Sequence, residues 1–126
     1  MLSLKQLSHS LKYAFKGFRF VFVHEQNFRI QIFVALLVLI AMLYFRITGI
    51  RAVMLIFSIV SVLVLEVINS IFEHLVDLLK PRLHYVVGEI KNMMAASVLL
   101  ASVSAGIVGV IIFWPYLLGI IQRFSL

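Results

Sequence analysis

The chain contains no cysteine, so disulfides, thiolate nucleophiles and cysteine-ligated zinc sites are all excluded. Acidic residues are also few, with five against eleven lysines and arginines, which gives a formal net charge of +6. The first residues offer no short apolar core with a small-residue cleavage site, so we expect no signal peptide. The sequence also lacks a Gly-x-x-x-x-Gly-Lys-Ser/Thr loop and a protein-kinase signature. A nucleotide site in this chain must therefore be formed without these glycine-rich loops, by side chains of the helices predicted below.

Hydrophobic residues, by contrast, make up 63% of the 126 residues, far above the rough half that is usual in soluble proteins. We therefore predict an all-α integral membrane protein with a single domain over residues 1–126. Its parts are an N-terminal amphipathic surface helix and three transmembrane helices. The surface helix covers about residues 3–25, and the spans cover about residues 30–45, 52–79 and 90–118.

The predicted surface helix carries its positive charges along one side. At about 100° per residue, a basic stripe faces one way and an aromatic-rich apolar arc faces the other. The stripe consists of Lys5, His9, Lys12, Lys16 and Arg19, and the arc of Leu4, Leu7, Leu11, Phe15, Phe18 and Val21. This pattern is typical of a helix in the headgroup plane of an anionic leaflet. A nucleic-acid partner is the competing interpretation, but the membrane-embedded remainder of the chain argues against it.

Two short loops connect the three spans. Residues 46–51 form a tight loop with Gly49 at the turn, and Pro81 ends the second span because proline lacks the amide that would continue the helix. Residues 82–88 form the second loop, and the third helix begins near Glu89. Eight of the eleven lysines and arginines lie in the N-terminal segment and around the second loop. We therefore expect the N-terminus and the second loop to face the cytoplasm.

The second predicted span continues into a helix with a cluster of polar side chains. Glu66, Asn69, Glu73 and Asp77 fall within about 80° of one another around this helix, and residues 52–65 before them carry no charge. An ordinary amphipathic helix with a solvated face is one interpretation. Because the helix emerges from an uncharged run, its upper half should lie within or just below the membrane surface. Ionisable groups are costly there and usually mark a functional site, so we favour the functional interpretation.

The chemistry open to this cluster is set by its oxygen ligands. Glu25, the only acid in the first 65 residues, adds a further carboxylate beside the point where the chain enters the membrane. Neutralising nearby lysines is an equally compatible role for Glu25. Carboxylates with few histidines suit Mg²⁺ better than Zn²⁺. Magnesium, a lysine such as Lys91 and a spare carboxylate base are the components of phosphoryl transfer.

Several stretches of the sequence resemble a known family. Residues 66–77, Glu-Val-Ile-Asn-Ser-Ile-Phe-Glu-His-Leu-Val-Asp, and residues 91–100, which begin Lys-Asn-Met-Met, are similar to the small prokaryotic diacylglycerol kinase and undecaprenol kinase family. The most specific part is the pattern Glu-x-x-Asn-(Ser/Thr)-x-x-Glu-x-x-x-Asp. Phe-Lys-Gly at 15–17 and Glu-x-x-Phe-Arg at 25–29 also match, so the resemblance covers nearly the whole chain.

The resemblance implies a three-span membrane enzyme with a surface helix, which acts as a homotrimer and moves the γ-phosphate of ATP onto a lipid alcohol. It implies Glu66 as the general base, and Glu25 and Glu73 as the residues that hold the metal, Mg²⁺. It also implies nucleotide contacts from Tyr13, Asn69, Asp77, His84, Lys91 and Asn92, and lipid contacts from Arg19 and Arg29. Asn92 departs from the pattern, because the family usually has aspartate after its lysine.

We therefore expect an ATP- and magnesium-dependent lipid kinase of the cytoplasmic membrane, acting on undecaprenol or diacylglycerol. Residues 25–29 and the Ile-Phe-Trp-Pro sequence near the C-terminus favour undecaprenol slightly. The alternative is a non-catalytic membrane oligomer of the same fold, for which Asn92 is the one feature in favour. An ion-conducting assembly would need polar residues in the far half of the spans, and that half has almost none.

Overall fold

The computed structural model describes residues 3–79 and 84–124, and these residues form four helices. The bounds are Leu4–His24 for α1, Gln26–Tyr44 for α2, Ile50–Leu79 for α3 and His84–Phe124 for α4. Three of them are long and apolar enough to cross a membrane: α2, α3 and α4 from Tyr85 onward. The prediction of an all-helical chain with three candidate membrane spans is therefore confirmed.

The connections between the first three helices are short. A single residue, Glu25, separates α1 from α2, and its extended backbone (φ −101°, ψ 112°) lets the chain change direction there. Between α2 and α3, Arg46 and Gly49 have positive φ angles of 53° and 65°. Glycine adopts this left-handed conformation without steric cost. The predicted glycine turn in this loop is therefore confirmed.

The structure corrects the predicted second loop. Residues 84–88 are helical, so α4 begins at His84 instead of near Glu89, whereas residues 80–83 lie outside the described part of the chain. Gly88 lies inside this first stretch of the helix, where a glycine costs only about 1 kcal/mol. Val87 is buried in this first stretch of α4. The packing of that side chain offsets the weak helix propensity of its neighbour.

The helices pack around α3, which contacts α4 most extensively and α2 to a lesser degree, while α1 packs against α2. A small apolar core of Ile47, Leu55 and Ile112 closes the end of the spans near the α2–α3 loop. Tyr116 of α4 extends this core, since its ring lies 5.3 Å from that of Phe45 and its hydroxyl accepts a 3.4 Å hydrogen bond from an Arg51 guanidinium nitrogen. The polar residues of α3 lie toward the other end of the helix.

Large apolar side chains remain exposed along all three long helices of the single chain. Examples on α2, α3 and α4 are Leu43, Phe57 and Leu100. Apolar surface of this extent is unusual on a soluble monomer and is expected where lipid or another chain covers it. The outward faces therefore agree with a helix bundle that lies in a membrane.

Candidate functional site

Glu66 lies at the centre of a buried polar cluster on α3. Its side chain is only 2% exposed, and Asn69 and Ser70 are buried beside it. The spacing of three to four residues places them on one side of the helix. An ionised carboxylate is almost never buried without partners, because desolvation costs several kcal/mol. The polar side of α3 is thus turned inward here, and the alternative of a solvated amphipathic face does not hold for residues 66–70.

Gln31 of α2 supplies a hydrogen bond to this buried carboxylate. Its side-chain Nε2 donates to Glu66 Oε2 at 3.2 Å, and this contact joins α2 to α3. The sequence reasoning missed Gln31. A signal was available, because an amide two residues after Arg29 is a polar side chain inside a predicted span, and polar groups in spans usually face a partner.

Glu25 reaches the same cluster from the α1–α2 connection. Its half-buried carboxylate accepts a 3.1 Å hydrogen bond from Ser70 Oγ. Glu73 is connected to the same side of α3 through Asn69, the residue before Ser70. The structure therefore brings together three carboxylates, those of Glu25, Glu66 and Glu73, which the sequence separates by up to 48 residues (73 − 25) and which form the carboxylate cluster. Ser70 was also missed, although it occupies the Ser/Thr position of the pattern that carried the family resemblance.

Asn69 and Glu73 form the next layer of the cluster. Asn69 Nδ2 donates a 3.2 Å hydrogen bond to Glu73 Oε1. The other amide atom, Asn69 Oδ1, is buried and has no hydrogen-bond partner within the described residues. A buried acceptor without a donor costs about 1–3 kcal/mol. The cluster therefore contains unused acceptors beside several negative charges, which is an arrangement that suits a cation or a hydrogen-bond donor.

The donor set fits a magnesium ion only in part. All candidate ligands are oxygens, as Mg²⁺ prefers, and Asn69 Oδ1 is an additional free oxygen. Within residues 3–79 and 84–124, however, no group of three or more His, Asp or Glu side chains is placed to hold a metal by itself. Mg²⁺ commonly binds through one or two carboxylates together with waters and substrate phosphates. The carboxylate oxygens of Glu25 and Glu73 are of the chemical type that this mode of binding uses.

An ion pair extends the cluster toward the start of α4. Lys91 Nζ lies 2.7 Å from Asp77 Oδ1, and their side chains are 35% and 53% exposed. These two predicted nucleotide residues therefore meet at the open end of the polar face. Asn92, the next residue on α4, is exposed. His84 is the first residue of α4, but its side chain lies outside what the structure describes.

Three further predicted residues lie on or near α1. Tyr13 is exposed and packs against two residues of its own helix, His9 with rings 4.8 Å apart and Lys16 with the ammonium 5.7 Å from the ring centre. Arg19 is exposed. Arg29 donates from Nη1 to the carbonyls of residues 22 and 23 at 3.2 and 2.7 Å. Among the described residues, none of these three side chains has a hydrogen bond to the carboxylate cluster.

Contacts around the connection between α1 and α2, called the joint below, fix the position of Glu25. Arg29 binds free carbonyls at the C-terminal end of α1, where a cation is also favoured by the helix dipole. Phe28 is completely buried, and its ring meets that of Phe18 edge to face at 5.4 Å. Phe20 of α1 stacks on His24 of the same helix, and its ring also lies 5.3 Å from that of His74 on α3. These contacts hold Glu25 between α1 and α3.

A mostly apolar groove of about 420 Å³ lies between α2, α3 and α4. Its walls are formed chiefly by aliphatic side chains, together with the small residues of α4. The lining includes Ile30, Gln31, Val34, Ala35, Leu55, Ile59, Val62, Leu63, Ser102, Ala105, Gly106, Gly109 and Phe113. Gln31 belongs to this lining and also binds Glu66. One residue therefore connects the groove with the carboxylate cluster.

Comparison with known proteins adds a family to this geometry. The family model described as "Prokaryotic diacylglycerol kinase" matches residues 12–113. The chain is 32% identical over 104 residues to the "Diacylglycerol kinase" of Escherichia coli (strain K12), an alignment that covers 82% of this chain and 85% of that protein. It is 33% identical over 105 residues to the protein of the same name from Haemophilus influenzae, covering 83% and 89%.

A third relative is a longer protein than this chain. The "Diacylglycerol kinase" of Synechocystis sp. is 32% identical over 112 residues, which are 88% of this chain and 64% of that protein. The region matched by the family model contains the carboxylate cluster and the ion pair of Asp77 and Lys91. The resemblance predicted from the sequence is therefore confirmed, and the chain belongs to the prokaryotic diacylglycerol kinase family.

Proposed function

We propose that this protein is an ATP- and magnesium-dependent lipid kinase of the bacterial cytoplasmic membrane, which phosphorylates the hydroxyl of diacylglycerol or undecaprenol. The observation that carries the proposal is the buried Glu66 carboxylate, which lies among polar side chains of α3 and is bound by Gln31, a residue that lines the apolar groove. A lipid alcohol needs an apolar site for its chain and a base for its hydroxyl. The printed name of the curated relatives, "Diacylglycerol kinase", supports the same class of reaction.

In this proposal Glu66 acts as the general base. Its carboxylate takes the proton of the lipid hydroxyl while the alcohol oxygen attacks the γ-phosphorus of ATP. The new O–P bond forms as the bond between the γ-phosphorus and its bridging oxygen to the β-phosphate breaks. ADP leaves with that oxygen, and the proton stays on Glu66 until it is released to solvent. A base in this role must reach the hydroxyl within hydrogen-bond distance, and the hydrogen bond from Gln31, which lines the groove, supports this approach.

The remaining cluster positions the nucleotide. Glu25 and Glu73 would hold Mg²⁺, which when bound neutralises phosphate charge and aligns the γ-phosphate. Lys91, oriented by Asp77, places a positive charge at the open end of the cluster, where the phosphates would enter. Asn69 offers its unpartnered carbonyl oxygen. We assign further nucleotide contacts to Tyr13, His84 and Asn92, and contacts with the lipid headgroup to Arg19 and Arg29.

We propose that the protein works as a homotrimer, with α1 as an amphipathic surface helix and the N-terminus in the cytoplasm. Exposed apolar side chains on α2, α3 and α4 support assembly with other copies in the membrane. Tyr13, Arg19 and Asn92 are exposed in the single chain. They are therefore available to substrate or to a neighbouring copy.

The alternative, a non-catalytic oligomer, depended on Asn92. Without an aspartate at that position, Lys91 would lose the charge that orients it. The structure supplies that charge from α3, because Asp77 binds Lys91 at 2.7 Å. This contact favours the catalytic proposal.

The proposal is tested by the transfer of labelled phosphate from ATP to lipid in mixed micelles. Purified protein is incubated with diacylglycerol or undecaprenol, with and without Mg²⁺, and a lipid without a free hydroxyl serves as the control. We expect label in the lipid product with at least one of the two alcohols, only when Mg²⁺ is present. Absence of transfer to both alcohols with every divalent ion tried would reject the kinase and leave the non-catalytic oligomer.

A further inference from the structure

Gln31 is the polar residue that joins the groove to the carboxylate cluster, and neither the sequence reasoning nor the proposed mechanism gives it a role. It lies on α2, six residues after Glu25, and its side chain is half-buried. Its amide nitrogen donates to Glu66 at 3.2 Å, while the residue itself lines the groove. Two roles are open to the Gln31 side chain: it fills space between the helices, or it holds the Glu66 carboxylate for the reaction.

The orientation of the Gln31 amide follows from its partner. An ionised carboxylate can only accept hydrogen bonds, so Gln31 must present its NH₂ group to Glu66. The carbonyl oxygen, Oε1, then points away from Glu66. This oxygen is buried and has no hydrogen-bond partner within residues 3–79 and 84–124. A glutamine that served packing alone would therefore leave a buried acceptor unsatisfied, which destabilises a fold relative to an apolar residue of similar shape.

The hydrogen bond also distinguishes the two oxygens of Glu66. Gln31 occupies Oε2, and within the described residues no other donor binds the Glu66 carboxylate. A carboxylate held through one oxygen loses freedom to rotate. The other oxygen, Oε1, has no donor within the described residues, and the residue that holds Oε2 lines the groove, so a hydroxyl bound in the groove has a nearby acceptor left to it.

We propose that Gln31 is the positioning residue of the general base: its NH₂ group holds Glu66 through Oε2, so that Oε1 faces the lipid hydroxyl. This inference rests on the proposed lipid kinase function. Gln31 acts through Glu66 and needs no contact with ATP. Loss of the hydrogen bond should therefore lower the rate of the chemical step and leave nucleotide binding unchanged.

The test compares three variants with the wild type in the mixed-micelle assay. Gln31→Met keeps the length of the side chain and removes the donor. Gln31→His restores an N–H donor on a side chain of comparable reach. Gln26→Met makes the same chemical change at an exposed position five residues earlier on α2 and serves as the matched control. For each protein, kcat, the KM for ATP, the KM for lipid and the melting temperature in detergent are measured.

We expect Gln31→Met to lower kcat by roughly tenfold to a hundredfold, the range expected when a hydrogen bond to a charged group is lost. Both KM values should stay within about twofold, and the melting temperature within about 3 °C. Gln31→His should recover most of the lost kcat, and Gln26→Met should match the wild type.

Two results would overturn the inference while the kinase proposal stands. One is an active wild type with unchanged kcat in Gln31→Met, or with an effect confined to the KM for lipid, which would make Gln31 a part of the groove wall only. The other is a parallel loss of kcat and melting temperature that Gln31→His does not relieve. A wild type that phosphorylates neither alcohol would instead overturn the proposed function, and this inference with it.

Discussion

Lys91 receives its negative partner from the neighbouring helix and not from the residue that follows it in sequence. The family pattern places an aspartate after this lysine, and Asn92 stands there in this chain. Asp77 on α3 lies 2.7 Å from the Lys91 ammonium. A half-exposed pair of this kind contributes little to stability, about 0–1 kcal/mol. Its effect is therefore on the direction of a positive charge and not on the stability of the fold.

Replacing Asp77 by asparagine should impair nucleotide binding more than turnover. Without the carboxylate, Lys91 is free to move away from the phosphate path, so we expect the KM for ATP to rise by up to about fivefold, the equivalent of 1 kcal/mol. The kcat should change less. Glu89→Gln removes one negative charge from an exposed position near Lys91 and serves as the control. Equal effects of the two variants would show that overall charge is responsible and not the ion pair.

Glu73 should behave as a metal ligand and not as a base. Glu73→Gln keeps an oxygen that can accept the 3.2 Å hydrogen bond from Asn69 but removes the charge that would hold Mg²⁺. We expect the magnesium concentration for half-maximal rate to rise about tenfold or more, together with a fall in turnover. A magnesium titration at saturating lipid measures this shift. An unchanged magnesium requirement would contradict the assignment of Glu73.

Residue identity and helical spacing were sufficient to predict the polar face of α3, because Glu66, Asn69 and Glu73 follow one another at helical intervals. They were not sufficient for Gln31 and Ser70. These two side chains matter through contacts to Glu66 and Glu25, at separations of 35 and 45 residues. A periodicity argument reports on one helix at a time, so contacts of this kind become visible only when the helices are packed together.

At the scale of elements, the joint between α1 and α2 decides where Glu25 lies. Phe28 is fully buried against Phe18, and Arg29 closes the end of α1 through two backbone carbonyls. Glu25 is the single residue between the two helices and forms a 3.1 Å hydrogen bond with Ser70 of α3. The position of a proposed metal ligand thus depends on the packing of an aromatic side chain three residues away.

Truncation of that aromatic side chain should damage both stability and activity. Phe28→Ala leaves a cavity in the joint, and we expect a loss of about 3–5 kcal/mol in stability, with lower kinase activity because Glu25 is no longer held. Phe33→Ala is the matched control, because Phe33 lies on the same helix and is exposed. Thermal unfolding in detergent and the micelle assay measure the two effects. Equal destabilisation by both variants would contradict this role of Phe28.

The start of α4 shows where prediction of the elements failed. Residues 82–88 were predicted as a loop, but the helix begins at His84, and the buried Val87 in its first turn stabilises this stretch in spite of the weak helix propensity of Gly88. The uncharged interiors of α2 and α3 gave no such conflict. Long apolar runs are therefore predictable from composition, whereas their ends depend on contacts between helices.

At the scale of the whole molecule, the charge distribution predicts which end of the bundle carries the chemistry. Eight of the eleven lysines and arginines lie in the N-terminal segment and around residues 80–91, and all five acids lie toward the same end. Basic residues are retained on the cytoplasmic side of membrane proteins. This orientation would expose the carboxylate cluster to the ATP of the cytoplasm.

Cysteine labelling tests the predicted orientation, since the chain has no cysteine of its own. Single cysteines are placed at Thr48 and Leu83, and intact cells are treated with a membrane-impermeant thiol reagent. We expect labelling at position 48 and protection at position 83, with both positions labelled once the membrane is permeabilised. Preferential labelling of position 83 in intact cells would place the cluster on the wrong side for ATP.

The most direct test of the central claim is to measure phosphate transfer and nucleotide binding together in wild type and Glu66→Gln. The claim is that the buried Glu66 carboxylate takes the proton of a lipid alcohol. Glutamine keeps the shape of the side chain but cannot act as a base, so turnover should fall by roughly a hundredfold or more. Affinity for ATP with Mg²⁺ should stay within about threefold, because Glu25, Glu73 and Lys91 remain. Near-normal turnover in Glu66→Gln would contradict the claim.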